Sequence, residues 1–238
     1  MAEPTKARRP AARPKRVRRA KAPMAAEGGT REALLGAATE LFADDGVDGV
    51  SVRDICGRAR ANVAAIGYHF GSKENLYLEV LRSGMSRARV LMTEAAAAPA
   101  LDPARRFIRH VRGFCRALLS PDFEPHMAKL MMRELGAPTP ALARMIDEFI
   151  RPNFEAVRAA IRALAPRPFG EDEIRRHTFS VLGQCTFYRH AAPIVLTLTE
   201  KAAYAKAFPK EVADHVVATT FRAIERVDLV ALIEETES

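Results

Sequence analysis

No run of the 238-residue chain approaches the 18 consecutive apolar residues that a membrane helix needs, so no membrane partner is expected. Cysteine is scarce: Cys56, Cys115 and Cys185 are odd in number and far apart in sequence. They have neither metal-ligand spacing nor a disulfide framework, which fits a reducing compartment, with the cytoplasm as the expected location. Strand-like alternation and internal repeats are missing. Also missing are a Gly-rich phosphate loop, a nucleophile elbow, and a His–Cys or His–carboxylate cluster at metal spacing. Catalysis therefore finds no support, and no cofactor or metal is expected.

Charge is abundant but uneven. The chain carries 37 Lys+Arg against 29 Asp+Glu, a net of +8. Residues 1–23 hold nine basic residues and one acid, which leaves the remaining 215 residues balanced at 28 and 28. The high isoelectric point is thus a property of the first segment. That segment has four prolines and almost no large apolar side chains, so residues 1–28 are expected to form a disordered basic tail. A basic arm binds phosphate backbones by counterion release. The alternative is a solubilising extension without a partner.

From Thr30 onward the apolar period is helical. Leu34, Ala38, Leu41 and Phe42 share one face, with Thr30 as a cap and Asp44-Asp45-Gly46 as the stop. The SVRD run at 51–54 is a capping box that opens a second helix. Asn62 caps a short third helix that ends near Phe70, and Ser72 caps a fourth with Leu76 and Val80 inward. Two short helices joined by about three residues, with a supporting helix before them, form a helix-turn-helix. Further helices are expected over 103–119, 124–135, 140–164, 172–190 and 209–233, with Pro152 kinking its helix.

The residues themselves carry a family likeness. REALLGAATELF (31–42), Gly46, SVRDI (51–55) and above all YHFGSKENL (68–76) resemble the DNA-binding domain of TetR-type transcriptional regulators. ANVAAI (61–66), MMRELGAPTP (131–140) and LGQ (182–184) resemble the CecR-like subgroup. Two positions depart from the pattern: Arg60 stands where the family usually has a turn glycine, and Gly67 lies inside the third helix.

The expected fold is all-α: an N-terminal helix-turn-helix DNA-binding domain over 29–84, then a larger helical ligand-binding and dimerisation domain over 85–238. The expected partners are a double-stranded DNA operator, a small-molecule effector and a second copy of the chain. The resemblance implies a homodimer, acting as a repressor, whose last long helices form the interface. Phe179, Gly183, Val216 and Thr220 are the candidates there. A DNA-binding structural protein of the nucleoid, or a division-linked one, with no effector, is the alternative.

For DNA, the inserted face is Asn62, Val63, Ala64 and Gly67, small enough for close approach to base edges. Arg53 suits bidentate contact with guanine, unless it pairs with Asp54 or Asp48. Tyr68 and His69 end the helix within reach of phosphates, while Ser51 and Lys73 sit at helix N-termini where phosphate is attracted. His69 in a packing role and Lys73 as a solvated charge are the alternatives. For a ligand, Phe114, Met127, Met131, Arg133, Glu134, Gln184 and Phe187 offer an apolar lining with polar anchors, though the same spacing also suits plain core.

Overall fold

The computed structural model describes residues 27–96, 102–119, 125–199 and 208–225, and every regular element among them is helical. The expected basic tail at 1–28 lies almost wholly outside the described residues. Among the described residues, no helix is long and apolar enough to cross a membrane.

Helix α1 spans Glu27–Gly49 and begins three residues before Thr30, which therefore sits inside it rather than at its cap. Gly46, at φ 77° and ψ 168°, breaks it where the Asp-Asp-Gly stop was read. That backbone region is open in practice only to glycine. Helix α2 (Val52–Arg58) opens on a complete capping box. Asp54 N–H donates to Ser51 Oγ at 3.2 Å, and Ser51 N–H donates to Asp54 Oδ2 at 3.0 Å. The hydrogen bonds from Ser51 hold the Asp54 carboxyl below its usual range. Helix α3 (Ala64–Phe70) follows, and then α4 (Lys73–Ala96). Ser72 Oγ accepts from Asn75 N–H at 3.1 Å, as expected of a cap.

The body contains α5 (Pro103–Leu119), α6 (Pro125–Gly136), α7 (Pro140–Met145), α8 (Arg151–Leu164), α9 (Glu171–His190), α10 (Ala192–Leu198) and α11 (Phe208–Glu225). Between α7 and α8 lies a π-helical turn, Ile146–Ile150. Pro152 explains it. Proline has no N–H to give the preceding turn, so the chain widens there, and Arg151 N–H reaches back to Ile146 O.

Two apolar cores hold these helices. The first joins Leu34, Phe42, Ile55, Ile66, Leu76 and Leu81 of the helix-turn-helix to Met127, Leu130, Met145 and Phe149 of α6, α7 and the π turn. The second gathers Phe107, Val111 and Phe114 of α5 with Val157, Ile161, Val181, Val212 and Val216 of α8, α9 and α11. Each such side chain contributes about 1.5–3 kcal/mol through burial. Gly84 lets α6 approach α4: a Cβ there would stand 2.0 Å from Met127 Cε. The helix-turn-helix and the front of the body thus share one core.

Candidate nucleic-acid interface

The turn between α2 and α3 sets the site. Arg60 takes φ 53°, the left-handed region in which arginine in place of glycine is costly. Ala61 N–H closes the turn onto Cys56 O at 2.9 Å. Cys56 is buried below it, its S–H aimed at Asn62 O at 3.5 Å, and burial pushes its thiol up.

Residues read as the inserted face do lie outward. Asn62, Val63, Ala64, Gly67 and Tyr68 are exposed, Tyr68 to 76% and Val63 to 51%. A Cβ on Gly67 would meet nothing within 4 Å, so its openness belongs to whatever docks there. Asn62 is also committed locally, its Oδ1 accepting from Ala64 N–H at 3.0 Å. Arg53 is exposed beside this face and makes no ion pair among the described residues; Asp54 is engaged by Ser51 instead. His69 is half-buried between the rings of Tyr68 and Phe70. Ser51 Oγ serves the capping box and donates to Asp54 Oδ2 at 2.5 Å. Lys73 is not a free charge: its Nζ donates to Val47 O at 2.7 Å and Val50 O at 3.0 Å, tying the α1–α2 loop to α4. One of its three donors remains for a phosphate. Arg60, exposed and unpaired among the described residues, is a further cation on this side that pattern reading passed over as a mere turn anomaly.

The residues expected to line a ligand pocket are not brought together. Met127 is fully buried in the first core and Met131 packs against it, while Phe114 belongs to the second core. Gln184 turns back to Ser180, and Phe187 is 54% exposed. Arg133 and Glu134 serve the junction with the helix-turn-helix unit. Arg133 Nε donates to Ala43 O at 3.1 Å and its Nη2 to Asp44 O, which caps the carbonyl end of α1. Glu134 is 1% exposed and accepts from Tyr77 Oη at 2.6 Å, Thr139 N–H at 3.0 Å and Thr139 Oγ1 at 2.8 Å. Lys129 adds an ion pair to Asp44 at 2.6 Å. One face of α6 therefore grips α1 and α4 together.

Cavities occur elsewhere. One of about 340 Å³ lies at the junction, between Val47, Asp48, Tyr77 and Leu78 on one side and Thr139, Pro140, Ala141 and Arg144 on the other. Another of about 190 Å³ lies between α5 and α8, lined by Arg106, His110 and Ala160 among others. His110 is buried there, its Nε2 2.8 Å from Asn153 Oδ1, and burial lowers its pKa.

Of the four residues read as a dimer contact, two face outward and two do not. Phe179 is 59% exposed and Gly183 is open, with no atom within 4 Å of where its Cβ would be. With Phe187 they form an i, i+4, i+8 stripe on α9, and Ile194 and Leu198 extend the exposed apolar surface on α10. Val216 and Thr220 are buried in the chain's own second core, and Thr220 Oγ1 donates to Val216 O at 2.7 Å. Their apolar stripe on α11 is covered by α5 and α9, so neither is available to a partner.

The two short helices, the supporting α1 and the outward face of α3 define a helix-turn-helix protein of the DNA-binding class. Residues 34–80 match the model of bacterial regulatory proteins of the tetR family. Residues 103–224, just over half of the chain, match that of the C-terminal domain of the HTH-type transcriptional dual regulator CecR. The chain belongs to the TetR family of transcriptional regulators, in its CecR-like branch. It is 37% identical over 134 residues to the HTH-type transcriptional repressor Rv3405c of Mycobacterium tuberculosis, a match covering 56% of this chain and 65% of that protein. The chain thus spans just under two thirds of that relative's length. It is 27% identical over 189 residues to the dual regulator CecR of Shigella flexneri, covering 73% and 82% respectively. In fold it is similar to AibR, solved in complex with isovaleryl coenzyme A and operator DNA (TM-score 0.57, 18% identity, 81% of this chain and 98% of that one). It is also similar to the TetR family regulator PfmR of Thermus thermophilus (TM-score 0.54, 17% identity, 83% and 97%).

Proposed function

We propose that the chain is a homodimeric regulator that occupies a palindromic operator as a repressor and releases it when a small molecule binds. The observation that carries this reading is the outward face of α3 with the unpaired Arg53 beside it. Small side chains there permit close approach to base edges, and a guanidinium can grip guanine in two places. Ser51, Tyr68, His69 and Lys73 would position the duplex through phosphates. Arg60 adds charge to a helix-turn-helix unit that otherwise carries more acids than bases.

In this reading residues 29–84 form the DNA-binding unit and residues 85–238 the ligand-binding and dimerisation unit. The α9 stripe of Phe179, Gly183 and Phe187 would pair with its copy about a two-fold axis, setting two α3 helices at matched half-sites. Ligand response is supported by the cavity at the junction, whose walls come from both units. An occupant held better in one arrangement shifts the population of operator-competent dimers. Repression is named for the mycobacterial relative and operator binding for AibR, which lends the reading weight. The site of action would be the cytoplasm.

Footprinting on the DNA upstream of its own gene tests the proposal. Two protected half-sites related by a dyad are expected. Protection that spreads continuously without half-sites would overturn it in favour of a structural DNA-coating protein.

A further inference from the structure

Cys115 on α5 and Cys185 on α9 stand 70 residues apart in sequence and 3.5 Å apart at sulfur. Both are free and fully buried in the second core. The Cys115 S–H is directed at the Cys185 sulfur. Cys56 is in the other core and faces Asn62 O, so it cannot join them. The scarcity of cysteine makes the pairing notable: two of three thiols meet at one helix crossing. A disulfide needs its sulfurs about 2.05 Å apart, on Cβ atoms about 3.8 Å apart. The remaining approach of roughly 1.5 Å is within reach of thiol rotation and a small slide of two helices that already pack together.

We propose that Cys115 and Cys185 form an oxidisable dithiol site, at which hydrogen peroxide converts the pair to a disulfide within one chain. One thiolate attacks the peroxide oxygen. The O–O bond breaks, water leaves, and that sulfur becomes a sulfenic acid. The neighbouring thiol then attacks it, the S–S bond forms, the S–O bond breaks, and a second water leaves. Two electrons pass from the sulfurs to the peroxide, and both thiol protons end in the water released.

The burial of the pair sets the rate. Thiolate, not thiol, is the nucleophile. Contact with Cys115 and burial hold the Cys185 thiol protonated well above its ordinary range. Reaction therefore waits for local opening of the α5–α9 seam. The site responds to sustained oxidant rather than to a brief pulse. Because α5 also packs against α4, α8 and α11, the bond would fasten the centre of the body.

The test uses the full-length protein and hydrogen peroxide. After quenching and denaturation, free thiols are counted with a maleimide, and peptides are mapped by mass. Three free thiols are expected before oxidation and one after it, with Cys115 and Cys185 joined in one peptide pair. The chain should stay uncrosslinked to others on a non-reducing gel. Urea below the unfolding transition should speed the reaction several-fold, and dithiothreitol should restore three thiols. In Cys115→Ser, Cys185 should instead end as a trapped sulfenic acid, with folding checked by the melting transition. Three surviving thiols under conditions that oxidise glutathione completely would overturn the proposal. So would bonds to Cys56, or bonds only between chains.

Discussion

The Tyr77 hydroxyl donates to Glu134 Oε1 at 2.6 Å, joining α4 to α6 across 57 residues of sequence. Thr139 donates twice more to the same carboxyl group. A buried group with all these partners holds one arrangement of the two helices and penalises others, because removing any partner leaves a desolvated polar atom. Tyr77→Phe is expected to destabilise the fold by about 1–3 kcal/mol. It should also weaken the mechanical link between body and DNA-reading helices. Chemical denaturation and operator affinity together check this; an unchanged midpoint would show the bond to be energetically idle.

Arg53→Ala should cost about 1–3 kcal/mol of operator affinity and relax preference at one base pair in each half-site. Its exposure means that the fold should be unaffected. Selection from a random-sequence pool, comparing the two proteins, gives the readout. An unaltered base preference would place Arg53 on the phosphates or in solvent.

Gly183 offers a clean probe of the interface, because a side chain there meets nothing within 4 Å inside the chain. Gly183→Leu should leave a folded monomer and weaken dimerisation by at least tenfold, which corresponds to about 1.4 kcal/mol. Val216→Asp should unfold the chain instead, since it places a charge in the second core. Sedimentation with a parallel melting curve distinguishes the two. A Gly183→Leu protein that remains a tight dimer would move the interface off α9.

Burial lowers the pKa of His110, His177 and His190 from the ordinary value of 6.5. The unfolded chain therefore binds protons at a higher pH than the folded one. Stability from these groups is present above about pH 6.5 and is lost as pH falls through that value toward the lowered ones. The melting midpoint should drop between about pH 7.5 and pH 5.5, before the carboxylates titrate. A flat midpoint across that interval would contradict the three shifts.

Residues 1–23 carry positive charge equal to the whole net charge of the chain. If they follow the duplex backbone, deleting them should weaken operator and random DNA alike. The salt slope should fall by about 0.9 for each phosphate that the segment had neutralised. The ratio of the two affinities should hardly change, because phosphate contacts carry no sequence information directly. Equal slopes with and without the segment would leave it a solvated extension.

The helix-turn-helix was legible because its signals are local. A capping box, a turn glycine and an apolar period each act within a few residues, and Ser51, Gly46 and Leu76 stand where those signals placed them. Helix α5 was legible in both bounds for the same reason. Helix α10 was not: no helix was expected between 190 and 209, although Pro193 stands in its first turn, where a proline is tolerated. Periodicity shows that a stripe is buried but not by what. That is why Val216 and Thr220 read as a partner's contact when their own chain covers them. Arg133 and Glu134 read as pocket anchors because nothing in sequence reveals that α6 lies against α1 and α4. The thiol pair was hidden in the same way, by 70 residues of intervening chain.

The π turn at Ile146–Ile150 lets a nearly continuous run of helix feed both cores. Met145 and Phe149 enter the first core, and Val157 and Ile161 enter the second. Each residue of an α-helix turns the chain by about 100°. A π turn takes up one residue more than an α turn, so deleting one residue from 146–150 would restore ordinary α-helix and leave Val157 and Ile161 facing their core. Deleting one within α8 ahead of Val157 would instead rotate Val157 and Ile161 by about 100° and take them out of it. Single-residue deletions among descendants of this chain should therefore be tolerated at 146–150 sooner than elsewhere in 140–164, so that this turn holds the slack of the molecule.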